Sequence, residues 1–139
     1  MAVARYLADK SAWARLRRPR VAEVLTPLVE QGLVGTCGAV DLEVLYSVRD
    51  AAEHAQVRKE RRGLPWLAMP DEVWDRAVEV QGQLAARGRH RAASIPDLLI
   101  AATAERHGVT VLHYDADFDR IAETTGQPTA RVVPRGSVE

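Results

Sequence analysis

Residues 94–121, SIPDLLIAATAERHGVTVLHYDADFDRI, limit the possible folds of this chain more than any other stretch. They read as a helix, a stop, a strand, a turn and a second helix. Ser94 and Pro96 are helix-start signals, and His107-Gly108 is a stop. The β-branched run 109–114, VTVLHY, is the clearest strand of the chain, and 117–125 reads as a short helix. A strand held between two helices finds its partners by parallel pairing, because tight hairpins are closed to it.

The rest of the sequence repeats this alternation. Strands are predicted at 3–8, 33–37, 66–69 and 130–133. Helices are predicted from a Ser11 cap through Trp13 and Leu16, at 20–31 with a kink at Pro27, at 40–50, at 51–62 and at 71–87. No internal repeat or low-complexity linker interrupts them. The expected fold class is therefore α/β, with a central, mainly parallel sheet between two helical layers, as one domain over residues 1–139.

Composition narrows the setting. With 47% hydrophobic and 27% charged residues, the chain matches ordinary globular proteins and not disordered ones. The single cysteine, Cys37, excludes an intrachain disulfide framework and suits a reducing cytoplasm. Arg5, Asp9 and Lys10 break up any signal-peptide core, and no apolar run approaches the roughly 18 residues of a membrane span. A soluble, cytoplasmic protein with no membrane contact is expected.

The formal net charge is zero, which disfavours nucleic-acid binding by bulk electrostatics. Yet 17 of the 19 basic residues are arginine, bunched at 15–20, 58–62 and 87–91. Guanidinium forks suit two-point phosphate contact, and they also decorate ordinary solvated surfaces. For substrate contact the cluster Arg87, Arg89 and Arg91 is the one singled out.

The acids carry the chemistry. In parallel α/β sheets ligands bind outside the carboxyl ends of the strands. Asp9 directly follows the first predicted strand and Asp115 directly follows the strand 109–114. If those strands are neighbours, their carboxylates are close. Asp97 opens a helix, Glu43 lies within another, and Asp115, Asp117 and Asp119 alternate. Each has a local explanation. Ser94-x-x-Asp97 resembles a capping box, and Glu43 aligns with Ser47 and Asp50 in a stripe that could face water. Asp9 could cap the next helix, though Ser11 is the better cap, and aspartate suits strand-to-helix turns. Four such sites expected near one edge are harder to dismiss. Clustered carboxylates without histidine or cysteine partners suit hard divalent cations, which polarise phosphodiesters and activate water.

Other acid-rich motifs fail on residue identity. A calcium loop starting at Asp115 would need Gly at 120 and Glu at 126, where Arg120 and Gly126 stand. A DxDx[TV] phosphatase motif fails at Asp119, and the histidines and Cys37 lack zinc-ligand spacing. The phosphate-cradling GxxxxGK[ST] and GxGxxG motifs and the GxSxG nucleophile elbow are absent from the sequence.

The segments YLADKSAW, VDLEVLYS and IPDLLIAATAERHGVTVLHYDADFDRI, with a short terminal strand, resemble the PIN-domain ribonucleases, specifically the VapC-type toxins of toxin–antitoxin pairs. The resemblance spans almost the whole chain. It implies catalytic acids at Asp9, Glu43, Asp97 and Asp115, and metal ligands at Asp9, Asp97, Asp115 and Asp117, with Asp117 auxiliary or an alternative fourth acid. Ser11 matches a supporting hydroxyl. His113 departs from the Thr or Ser of many relatives, as a supporting side chain near the site. The implied activity is an Mg²⁺- or Mn²⁺-dependent endoribonuclease that cleaves RNA through activated water. Also implied are a homodimer whose two acidic sites face one groove mouthed by arginines, and a VapB-like antitoxin contacting Trp13, Leu16 and Val24. Two other classes remain open from the residues alone: a metal-dependent phosphatase or other nuclease, and a non-catalytic binding module with structural acids.

Overall fold

The computed structural model describes residues 3–139. In chain order the elements are β1 (Tyr6–Ala8), α1 (Lys10–Trp13), α2 (Pro19–Glu30), β2 (Val34–Gly35), α3 (Gly38–Tyr46), α4 (Ala51–Arg61), α5 (Asp71–Ala86), α6 (Ile95–His107), β3 (Thr110–His113), α7 (Ala116–Thr125) and β4 (Thr129–Arg131). The four strands form one parallel sheet in the order β2-β1-β3-β4. Tyr6, Leu7 and Ala8 stand opposite Thr110, Val111 and Leu112, and the pairing runs on where the Asp9 N–H donates to the Leu112 carbonyl at 2.9 Å.

Strand alternation divides the core into two. Leu7 and Val111 point to one face, where α3, α5, α6 and α7 supply Val40, Val80, Leu84, Ile100, Phe118 and Ile121. Ala8 and Leu112 point to the other, with Ala12, Val21 and Leu25 from α1 and α2. Residues 97–104 of α6 are all buried, so that helix is apolar on nearly every side instead of amphipathic. It stops at Gly108, whose φ of 67° is the left-handed conformation that favours glycine. Gly35 answers to space instead: a Cβ there would lie 3.0 Å from Leu67 Cγ and 3.1 Å from the Pro65 carbonyl oxygen.

Several expectations are corrected. Residues 66–69 form no strand; only Trp66 bridges Thr36, in a segment bounded by Pro65 and Pro70, which cannot donate to a ladder. Asp9, not Ser11, caps α1. Helix α3 ends at Tyr46, and Asp50 instead caps α4 by accepting from the Glu53 N–H at 2.8 Å. Pro27 does lie inside α2, where expected. Trp13 and Leu16 pack against the core, and the Trp13 indole N–H donates to the Ala8 carbonyl at 3.1 Å, which leaves Val24 as the exposed member of that set. Arg61, only 8% exposed, bonds Asp41 at 2.7 Å and Thr36 at 3.0 Å and lies over Trp13. It holds the structure together and is withdrawn from the arginine cluster 58–62. Large exposed apolar side chains gather instead on α3, α5 and α6, at Leu42, Tyr46, Trp74, Val78 and Ile95. Among the described residues no helix is long and apolar enough to cross a membrane.

Candidate metal centre

The order β2-β1-β3-β4 reverses direction between β1 and β3, and at such a point the connections leave to opposite faces and open a crevice. Asp9 leaves β1 there and Asp115 follows β3 after Tyr114. Two short local devices aim them. Asp9 accepts the Ser11 N–H at 2.9 Å through Oδ2, which turns the chain into α1. Asp115 accepts the Asp117 N–H at 2.9 Å through Oδ1 and so caps α7. The Ser11 hydroxyl oxygen accepts the Tyr114 N–H at 2.8 Å and ties the two strand exits together.

Asp97 arrives from the first turn of α6. Ser94 accepts the Asp97 N–H at 3.2 Å through its hydroxyl, as a capping box requires. The return arm is missing from Asp97, because the Ser94 N–H donates to Asp117 Oδ2 at 3.1 Å. Asp117 thus does the capping work expected of Asp97, with its other oxygen held by Arg120 at 3.0 Å. Asp97 is freed to face the other acids. Glu43 reaches in from α3, half-buried, so the stripe it forms with Ser47 is not wholly turned to water.

The acids form two overlapping groups, Asp9–Glu43–Asp97 and Asp97–Asp115–Asp117, each with carboxylate oxygens within 4.8 Å of one another. They line a cavity of about 340 Å³ together with Lys10, Ser11, Ala14, Arg15 and Ser94. Asp119, the third of the alternating aspartates, turns away to pair with Arg131 of β4. His113 is completely buried. Its Nδ1 accepts the Asp115 N–H at 3.1 Å, which leaves the ring proton on Nε2, 3.9 Å from Asp119 Oδ1. Burial pushes its pKa down to about 4, so the ring is neutral at physiological pH. It does not line the cavity; it holds the turn that carries Asp115.

Electrostatics make the cavity a poor place for bare carboxylates. Burial first, then the hydrogen bond to Asp117 and the charges of Asp9, Asp115 and Asp117, push the Asp97 carboxyl up to about 9. Asp9 is raised by burial and, less, by Asp115. Glu43 is raised by burial and by Asp9, with Lys10 acting in the opposite direction. Buried oxygens also lack partners: Asp9 Oδ1 and Glu43 Oε1 have no hydrogen bond. An all-oxygen donor set with two orphaned atoms fits a hard divalent cation, which would neutralise the repulsion and satisfy both.

Two cationic side chains at the cavity, Lys10 and Arg15, carry no role in the sequence reading beyond breaking an apolar run and belonging to an arginine cluster. Arg15 donates to the Ser11 carbonyl at 2.8 Å and lies 4.7 Å over the Tyr114 ring. Its helical spacing from Ser11, four residues, was the available signal. Arg87, Arg89 and Arg91 are exposed in and beside the connection from α5 to α6, and none lines the cavity.

Comparison with known proteins agrees with this arrangement. Residues 6–124 match the PIN domain family model. Ribonuclease VapC21 of Mycobacterium tuberculosis is 48% identical over 134 residues, covering 96% of this chain and 97% of its own. Ribonuclease VapC2 of the same species is 50% identical over 137 residues, covering 94% of each. Among solved structures, DNA-bound VapBC from Salmonella typhimurium superposes with a TM-score of 0.75 at 14% identity, covering 94% of this chain and all (100%) of that one. VapBC2 from Rickettsia felis, bound to a promoter DNA fragment, gives 0.73 at 14% identity, covering 91% and 97%. At that identity the structures speak for the fold, while the sequence relatives speak for descent. The chain belongs to the PIN-domain family and, within it, to the VapC ribonucleases.

Proposed function

We propose that this protein is a metal-dependent endoribonuclease, a single PIN-like domain acting in the cytoplasm as the toxin of a toxin–antitoxin pair. The observation that carries the reading is the convergence of five carboxylates, two with orphaned buried oxygens, at the sheet's switch point. The names of the relatives, which are ribonucleases, support RNA as the substrate. The toxin–antitoxin complexes among the structural neighbours support an antitoxin partner.

Asp9, Glu43, Asp97 and Asp115 would hold Mg²⁺ or Mn²⁺, with Asp117 auxiliary because Arg120 and the Ser94 N–H already engage both its oxygens. When bound, such an ion supplies charge neutralisation at the phosphodiester and acidifies water. The chain's own part is placement. Ser11 fixes the spacing between the two strand exits, and His113 fixes the turn of Asp115. Lys10 and Arg15 offset phosphate charge that the carboxylates would repel. Arg87, Arg89 and Arg91 would add phosphate contacts outside the cavity.

Purified protein should cut single-stranded RNA with Mn²⁺ or Mg²⁺ and stop when EDTA is added. Hydrolysis of phosphomonoesters without RNA cleavage would make it a phosphatase instead. Metal-independent inertness toward both substrates, with no thermal shift by Mn²⁺, would leave only a binding module.

A further inference from the structure

A second depression, of about 360 Å³, shares Ala14 and Arg15 with the acidic cavity, and its other lining residues are Arg17, Arg18 and Glu139. Arg18 is also the residue that precedes α2. The first turn of that helix holds no acidic residue, and no side chain caps it. The positive end of its dipole therefore adds to the field of three guanidiniums. Among the described residues Arg17 makes no ion pair, and Arg18 pairs only with Glu139, at 3.5 Å. Both partners are well exposed, 52% and 95%, so the pair is weak and exchangeable.

The tail carrying that carboxylate is placed by Tyr114. Its hydroxyl donates to the Val138 carbonyl at 2.7 Å and accepts the Gly136 N–H at 2.8 Å. The same residue joins Ser11 through its backbone and precedes Asp115. The segment that brings Glu139 to the arginine pocket and the strand exit at the acid cavity thus share Tyr114, and a carboxylate already stands at the pocket's rim.

We propose that this pocket binds a phosphate of the RNA strand next to the one being cut, and that Glu139 occupies it until the strand displaces it. The inference rests on the ribonuclease reading and adds the strand's path. A cavity of carboxylates repels a polyanion, and the chain has no net charge to draw one in. Affinity must come from cations beside the acids. Arg17 and Arg18 are free to give it, and they adjoin the cavity more directly than the cluster 87–91.

The test is fluorescence anisotropy of a labelled oligoribonucleotide at several salt concentrations in EDTA, alongside cleavage kinetics in Mn²⁺. Arg17→Gln with Arg18→Gln should weaken binding about tenfold and flatten the slope of log affinity against log salt by about 0.7, the value for one phosphate contact on a single strand. KM should rise with kcat little changed. Glu139→Gln should bind RNA about two- to fivefold more tightly, the range expected on losing a weak exposed pair. Mn²⁺ thermal shifts should match wild type in all variants, which reports an intact fold and acid site. Wild-type cleavage with unchanged affinity, slope and KM in the double arginine variant would overturn the proposal alone. Wild type that neither binds nor cuts RNA would overturn the ribonuclease reading with it. Arginine variants that keep RNA affinity but escape inhibition by the antitoxin would assign the pocket to an acidic peptide, against the proposal.

Discussion

Asp97 is the residue at which local and collective explanations compete. Its spacing from Ser94 made a helix-capping role plausible from sequence, and only the tertiary hydrogen bond from the Ser94 N–H to Asp117 takes that role away. No sequence pattern links residues 94 and 117, so this could not be read in advance. What could be read was the placement of Asp9 and Asp115 directly after strands, because strand exits follow from the hydrophobic pattern; that the two strands are neighbours is seen only in the sheet. Asp9→Asn, Glu43→Gln, Asp97→Asn and Asp115→Asn should each abolish RNA cleavage with the fold retained; wild-type rates in two or more would sink the shared site. The raised pKa of Asp97, about 9 against the ordinary aspartate value of 3.8, has a signed consequence for stability. Between those values the folded state holds a proton that the unfolded state has released. That contribution is fully present below about pH 4 and is lost as pH rises towards 9. His113 acts oppositely. Its pKa is depressed to about 4, so its contribution is present above the usual histidine value and is lost as pH falls through that window. In EDTA, Asp97→Asn should therefore melt no lower than wild type at pH 8, while its Mn²⁺ shift shrinks. A clear loss of stability in EDTA with an undiminished Mn²⁺ shift would return Asp97 to a capping role.

At the level of elements, the sequence was clearest where a single physical signal dominates. Helix α6, strand β3 and the Gly108 stop lie close to their expected bounds because burial, β-branching and left-handed backbone agree. It was least clear where two signals overlap. Ser11 is a good capping residue, but Asp9 stands at the strand exit with its carboxylate already aimed at the Ser11 N–H, and the serine is released to bond Tyr114. Residues 66–69 had an apolar run without the donors to extend it, and a single bridge resulted. The serine link makes a testable joint between α1 and β3. Ser11→Ala leaves the Tyr114 N–H without its acceptor, a loss of about 1–3 kcal/mol for a buried donor and towards the lower end at this partly buried position. Chemical denaturation should report that loss, and cleavage should slow more than stability alone accounts for. Equal stability and equal kcat in Ser11→Ala and wild type would show that the link positions nothing.

For the whole molecule, the distribution of exposed apolar surface decides how it meets partners. The sequence suggested antitoxin contact at helices near the N-terminus, through Trp13, Leu16 and Val24; Val24 is exposed on α2, but Trp13 at the end of α1 and Leu16 just after it are only partly exposed. Both pack inward. The apolar face left over joins α3, α5 and α6, and one groove of about 360 Å³ on it is lined by Leu42, Tyr46 and Ile95 together with Lys10 and Glu43 of the acid cavity. Because the groove and the cavity share residues, a second copy covering that face would lie beside the acid cavity, as the shared groove implied by the family resemblance requires. Tyr46 at 88% and Val78 at 69% exposure are too open to be explained by folding of one chain. We therefore predict a homodimer through this face, whose melting temperature rises with protein concentration, since association stabilises the folded state by mass action. Placing a charge there, as Tyr46→Asp with Val78→Asp, should give a monomer by light scattering with unchanged far-ultraviolet circular dichroism, because neither side chain belongs to the core. Cleavage should fall if the shared groove guides the RNA. A wild-type protein that is monomeric at every concentration tested, or a doubly charged variant that remains dimeric, would remove this face from the assembly.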